Sequence, residues 1–266
     1  TRYWRDWSSD VCSSDLLTQR YSFSWRNISQ SNLIAVIPGK NRALPPLVLA
    51  DHIDTAYCGD IFEGTQQRVS APGADDNVAA SSALLNSVNY LKESTNQTRD
   101  IWLMHLTGEE FPADDLGIRR YLSAMMNGNK TDFFGFVVMD MVAYRQPNDW
   151  TFQINAGNSE ASLWMADLVQ QVAKEMTNAL YPLQAVVRSR FDPLSYLYNT
   201  DGLIISDLGY PVVLINEHIN RYENFDRPYY HDSTDLVRTL DRQYGNYLTR
   251  IAIESVAQLA TLSRPL

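Results

Sequence analysis

Residues 133–142 read Phe-Phe-Gly-Phe-Val-Val-Met-Asp-Met-Val, an apolar run interrupted by one acid, Asp140. Near-continuous runs of this kind mark strands buried on both faces, as in a parallel sheet covered by helices. A charge inside such a run is costly unless it is paired or bound to a metal ion. The stretch sets two expectations. Phe133–Val142 is an inner strand, and Asp140 has an electrostatic partner.

Working outward, the same reading recurs. Leu33–Ile37, Leu47–Ala50 and Ile101–Leu106 are short apolar runs, and Val212–Ile215 follows the break Gly209-Tyr210-Pro211; all read as strands. Between them, Val78–Leu91, Leu116–Met126, Ala161–Met176 and Tyr247–Leu262 have apolar residues at helical spacing. Asp75, Asp76 and Asn77 stand where the first helix needs its N-cap, and Asp114 and Asp115 open the second. Strands alternating with helices predict the α/β class: a single domain with a mostly parallel, mixed central sheet and helices on both faces. No internal repeat or linker divides the chain.

The 266 residues are 45% hydrophobic and 20% charged, ordinary for a globular protein. A net charge of −9 argues against a nucleic-acid partner, since such proteins carry a basic surface. No apolar run approaches the roughly 18 residues of a membrane span. The segment Asp6-Trp7-Ser8-Ser9-Asp10-Val11-Cys12-Ser13-Ser14-Asp15-Leu16 matches, codon for codon, one reading frame of a short-read sequencing adapter. Residues 1–16 are therefore expected to be a non-native artefact of an assembled environmental (metagenomic) sequence, with 17–266 forming the domain. Cys58 is then the one cysteine of the native stretch, and no intrachain disulfide is expected.

Ligands of open α/β sheets bind in the crevice outside the carboxyl ends of the strands. His52 and Asp54 follow the strand ending at Ala50, Glu109 and Glu110 follow the strand ending at Leu106, and Asp140 lies near the end of Phe133–Val142. Asp75 and Asp76 begin a helix. Four separate segments thus bring carboxylates or imidazole to one rim, and such a cluster needs a cation; imidazole with carboxylate points to zinc. Singly, each element has an ordinary structural reading, as a solvated acid pair, a cap or a loop histidine. Only their joint order is specific.

That order resembles the co-catalytic di-zinc exopeptidase family, which includes bacterial leucyl aminopeptidases and has glutaminyl cyclases and glutamate carboxypeptidase as relatives. The resemblance runs from about Leu33 to Leu262. It is carried by His52-Ile53-Asp54, Gly73-Ala74-Asp75-Asp76-Asn77, Gly108-Glu109-Glu110, Asp140-Met141 and His231 to Asp235. It implies the zinc exopeptidase (phosphorylase/hydrolase-like) fold and two zinc ions per chain. His52, Asp76 and Asp140 would hold one zinc, and Asp76, Glu110 and His231 the other. It further implies hydrolysis of the first peptide bond of peptides with a free N-terminus, by a water shared between the zincs, with Glu109 as general base. Asp54 would orient His52 by accepting its other ring N–H, and Asp235 would do the same for His231. Glu217, two residues past Val212–Ile215, is read either as lining the specificity pocket or as a solvated loop acid, and His105 as a core or supporting histidine. A secreted or periplasmic location is also implied. Three places depart from the family pattern: Ala79-Ala80, the longer tract Phe111–Gly117, and Thr200-Asp201-Gly202. They bear on the substrate rather than on the metal. Two alternatives stand beside this reading: a single-zinc glutaminyl cyclase-like acyltransferase, and a non-catalytic binding domain on the same fold.

Overall fold

The computed structural model of the chain describes residues 17–57, 69–94, 96–128, 132–219 and 228–262. Residues 1–16 and Cys58 lie outside the described residues. The described residues build one eight-stranded sheet, in the order β1 (Leu17–Trp25), β2 (Ile28–Ile37), β4 (Ile101–Leu106), β3 (Leu47–His52), β5 (Gly135–Met139), β8 (Val212–Glu217), β6 (Thr151–Ala156), β7 (Gln184–Arg188). The inner four strands are mutually parallel, with Leu47 opposite both Ile101 and Gly135, and Phe136 opposite Val212. β2 joins β4 antiparallel and β6 joins β8 antiparallel, so the sheet is mixed at both edges.

Alternate residues of the inner strands feed two cores. Leu47, Leu49, Val137 and Ile215 face α1 (Ala79–Ser94), α3 (Glu160–Met176) and α5 (Arg242–Thr261). Val48, Ala50, Val138 and Leu214 face α2 (Leu116–Asn127) and α4 (Asp201–Asp207). Burial on both faces is why these strands are mostly apolar, with Asp51, His52, His105, Asn216 and Glu217 confined to their carboxyl ends.

The outer strands are written differently. β1 alternates half-buried and exposed positions and pairs as a ribbon with β2. β6 carries Gln153 and Asn155, both fully buried. Gln153 donates to the Leu194 carbonyl and accepts from the Ile219 N–H, while Asn155 donates to Asn216 Oδ1 and accepts from the Tyr196 N–H. Satisfied amides let polar residues occupy the interior of a sheet.

Three expectations are corrected. The strand expected over Phe133–Val142 is only Gly135–Met139, so Asp140 lies one residue past its carboxyl end rather than within it. Met141, at φ 48°, turns the chain away there. The Asp75–Asn77 side chains cap no helix: they sit in a one-turn segment, Ala74–Val78, without a side-chain capping bond. Asp115 does occupy the N-cap position of α2 but makes no capping bond, because its φ of 59° carries the side chain elsewhere.

Candidate metal centre

Each candidate residue is delivered by the end of an inner strand or by a loop tied to one. His52 is the last residue of β3, Glu109 and Glu110 follow β4, and Asp140 follows β5. Asp76 is brought in by a tight turn. Gly73 has φ 57°, and a Cβ on it would lie 2.2 Å from Thr55 Cγ2 and 2.3 Å from the Asp76 carbonyl oxygen, so only glycine lets these segments approach. Asn77 then clamps the end of β5, donating to the Met139 carbonyl at 2.9 Å and accepting from the Met141 N–H at 3.2 Å, one residue either side of Asp140. Asn77, expected as a cap and as the last residue of the Gly73–Asn77 motif, ties down the strand end instead of capping a helix.

The side chains converge on two points bridged by Asp76. His52 Nε2 lies 3.2 Å from Asp76 Oδ1 and 3.3 Å from Asp140 Oδ1. His231 Nε2 lies 3.1 Å from Asp76 Oδ2 and 3.0 Å from Glu110 Oε2. The Glu109 carboxylate stands further off, 3.9 Å from His52 Nε2. These contacts set His52 beside Asp76 and Asp140, and His231 beside Asp76 and Glu110; ligand atoms of His52, Asp76 and Glu110, and those of His52, Glu109 and Asp140, also lie within 4.8 Å of one another.

The residues fit zinc. Tetrahedral zinc with bonds of about 2.0–2.1 Å sets its ligand atoms about 3.3 Å apart, close to the separations found here. His52 Nδ1 is 3.0 Å from the Asp54 carbonyl oxygen, a partner that takes the ring proton and leaves the Nε2 lone pair facing the acids. Glu110 Oε1 is buried without a hydrogen-bond partner, a cost that a cation relieves. Charge points the same way, because four carboxylates surround two imidazoles.

The proton affinities record that imbalance. Burial opposes charge on His52, yet Glu109, Asp140 and Asp76 together hold its pKa well above the ordinary value. Burial opposes charge on His231 as well, and its bonds to Asp76 and Glu110 lift it to about 11. Burial raises Glu110 to about 7 against the pull of His231. Glu109 is raised well above the carboxylate range, first by burial and then, against His52, by Asp140, Asp201 and Glu110. Asp76 goes the other way, because two imidazoles override its burial.

Two supporting roles differ from expectation. The Asp54 carboxylate is 3.8 Å from the His52 ring; it accepts instead the backbone N–H groups of Glu109, at 3.3 Å, and Glu110, at 3.1 Å. The Asp235 carboxylate accepts the N–H groups of Asp75 and Asp76, at 3.0–3.1 Å, and holds the bridging turn rather than His231. For Asp54 the backbone N–H groups lie nearer than the ring. Asp54→Ala is therefore expected to loosen the Glu109-Glu110 turn, lowering kcat and zinc affinity by about 10–100-fold, the usual cost of losing an outer partner. Turnover and competition with a chelator check it.

Glu217 is corrected outright. It is buried at the end of β8, its Oε2 accepts the Tyr144 N–H at 2.8 Å, and it is absent from the lining of the cavity over the centre. His105 pairs with buried Asp51 across β3 and β4, at 2.8 Å, as a supporting residue of the sheet. The tyrosines of the cavity, Tyr196, Tyr198 and Tyr230, escaped the sequence reading. Tyr230 stacks on the His231 ring, with centroids 3.8 Å apart, and its hydroxyl is 3.4 Å from that of Tyr196. Its adjacency to His231 was the available signal.

Fold and site together define a class: an α/β domain with a carboxylate-bridged pair of imidazole–carboxylate clusters at the carboxyl ends of its parallel strands. Within that class the chain belongs to peptidase family M28, whose model matches residues 32–256. No curated protein matches the chain at the level of sequence. In fold it is similar to an aminopeptidase of Legionella pneumophila, with TM-score 0.70 and 21% identity, covering 94% of this chain and 59% of that one. It is similar to a zinc aminopeptidase from Bacillus subtilis, with TM-score 0.67 and 16% identity, covering 90% and 54%. It is also similar to a glutaminyl cyclase of an Acidobacteriales bacterium, with TM-score 0.65 and 21% identity, covering 91% and 80%. The chain thus spans about six tenths of the length of the Legionella aminopeptidases it matches.

Proposed function

We propose that this chain is a zinc-dependent aminopeptidase that binds two zinc ions and removes the N-terminal residue of peptides. The observation that carries the reading is Asp76, whose two carboxylate oxygens each lie 3.1–3.2 Å from the Nε2 of a different histidine. A carboxylate used on both sides suits a pair of cations better than one. His52, Asp76 and Asp140 would hold the first, and Asp76, Glu110 and His231 the second. Zinc bound there supplies Lewis acidity, acidifying water and polarising a carbonyl.

The chain's own residues do the rest. Glu109 lines the same cavity near His52 and Asp140, with its carboxylate 3.9 Å from the His52 ring, and as general base it would take the proton of the attacking water and pass it to the departing amine. Asp54 fixes the backbone of Glu109 and Glu110 relative to His52, so base and ligand move as one unit. Asp235 does the same for the Asp76 turn.

A second reading stands beside this one, because the chain is also similar in fold to a glutaminyl cyclase. A single-zinc cyclisation of N-terminal glutamine is the chemistry it suggests. Metal analysis and a panel of aminoacyl p-nitroanilides separate the two. About two zincs per chain with nitroaniline release supports the aminopeptidase; one zinc with pyroglutamate formation from a glutaminyl peptide overturns it.

Metal removal has its own expected outcome. Ligand at about 100 times its Kd adds about 2.7 kcal/mol of stability. At this size that is roughly 5–10 °C in Tm. Chelation is expected to lower the melting temperature by that much and added zinc to restore it. An unchanged Tm with EDTA would speak against a resident metal.

A further inference from the structure

The cavity over the bridged pair, about 280 Å³, holds more acid than the centre uses. Its floor is Asp76, Glu109, Glu110, Asp140 and His231, and its walls include Phe111, Tyr196 and Tyr198 together with Asp114 and Asp115. The two aspartates belong to neither metal-ligating group. They come from the Phe111–Gly117 tract, where the sequence departs from the family pattern. Both stand at positive φ, 56° and 59°, which Asp and Asn tolerate better than most side chains.

This wall is short of positive charge. Among the described residues the ion-pair partner of Asp114 and Asp115 is Arg119, 3.5 Å from each, so two acids share one cation at long range. Asp115 is only 5% exposed. Asp201, behind the lining of the cavity, is 1% exposed, has an oxygen, Oδ1, without a hydrogen-bond partner, and adds its charge to that of Asp115. Asp114 stands exposed at the rim, and an apolar guest would leave buried Asp115 with only its long contact to the shared Arg119. A guest with an aliphatic stem and a cationic head meets both parts of the wall: the stem lies along aromatic rings and the head reaches the carboxylates. A planar guanidinium engages a carboxylate through two parallel bonds, so arginine suits the wall better than lysine.

We propose that this cavity selects an N-terminal arginine or lysine, with the stem against Phe111 and Tyr196 and the cation between Asp114 and Asp115. The proposal rests on the aminopeptidase reading above. The test uses the full-length zinc-loaded protein and the p-nitroanilides of arginine, lysine and leucine, with calorimetric binding of free L-arginine and L-leucine alongside. The kcat/KM for arginine is expected to exceed that for leucine at least tenfold. In Asp114→Asn and Asp115→Asn, which keep a side chain suited to positive φ, that ratio is expected to fall about ten- to hundredfold, the worth of a hydrogen bond to a charged group. Equal turnover of leucine and arginine, or a ratio unmoved in both variants, overturns the pocket and leaves the aminopeptidase standing. If no anilide is turned over, the aminopeptidase reading fails, and calorimetry decides the pocket: L-arginine binding that both variants weaken upholds it, and its absence overturns it.

Discussion

Glu109→Gln is expected to lower kcat by about 10²–10⁴, the usual worth of a positioned acid–base group, while zinc content stays that of the parent. The two adjacent glutamates divide the work by direction. Glu110 Oε2 meets the His231 ring at 3.0 Å, whereas Glu109 Oε2 stays 3.9 Å from His52 and lines the cavity. Glutamine at 109 keeps the shape of the side chain and removes only its capacity to take a proton. Ground-state contacts with the substrate survive, so the loss falls on kcat rather than on KM. Glu110→Gln is the matching control, and it is expected to weaken zinc binding, because it replaces a charged ligand by a neutral amide. Zinc content and kcat measured on both variants decide the matter. A Glu109→Gln protein with its zinc in place and near-parental turnover would end the general-base assignment.

How much of this was legible in the sequence depends on what each residue had to satisfy. The inner strands were plain because burial on both faces favours apolar side chains over most of their length, and Ile101–Leu106 is found with the boundaries expected. β6 was not, because Gln153 and Asn155 satisfy their amides inside the protein, and a polar–apolar mixture there reads as a loop. β1 was missed for a different reason: its half-exposed ribbon carries no core pattern. The residues brought together at the centre could be named in advance because their chemistry is confined to few residue types, and each follows the end of a strand or a tight turn. Their supports could not. Whether the Asp54 carboxylate turns to the His52 ring or to the Glu109 and Glu110 amides depends on loop geometry of a few ångströms, which spacing along the chain does not encode. Glu217 shows the same limit, since an acid two residues beyond an apolar run can equally face a pocket or tie down a neighbouring backbone N–H, as it does with Tyr144.

Asp76→Asn is expected to empty both halves of the centre, whereas Asp75→Asn keeps its zinc. Asp76 spends one oxygen on each side, 3.2 Å from His52 Nε2 and 3.1 Å from His231 Nε2, so an amide there turns one ligand atom into a donor that repels a cation. It also removes one of the four negative charges that offset the metal. Losing the Lewis acid costs several kcal/mol of transition-state stabilisation, on the order of 10³-fold in kcat/KM. Asp75 looks equivalent in sequence but points away, accepting the Ala143 N–H at 2.8 Å in a buried position. An asparagine oxygen still accepts that bond, so the cost there falls on stability and not on metal. The Asp235 carboxylate grips the backbone N–H of both residues, which holds the turn in place in either variant and makes the comparison one of side chains alone. Atomic absorption after dialysis, read beside the melting curve of each variant, separates loss of zinc from loss of fold. Zinc lost from a folded Asp75→Asn protein and retained by Asp76→Asn would place the bridge one residue earlier than the geometry does.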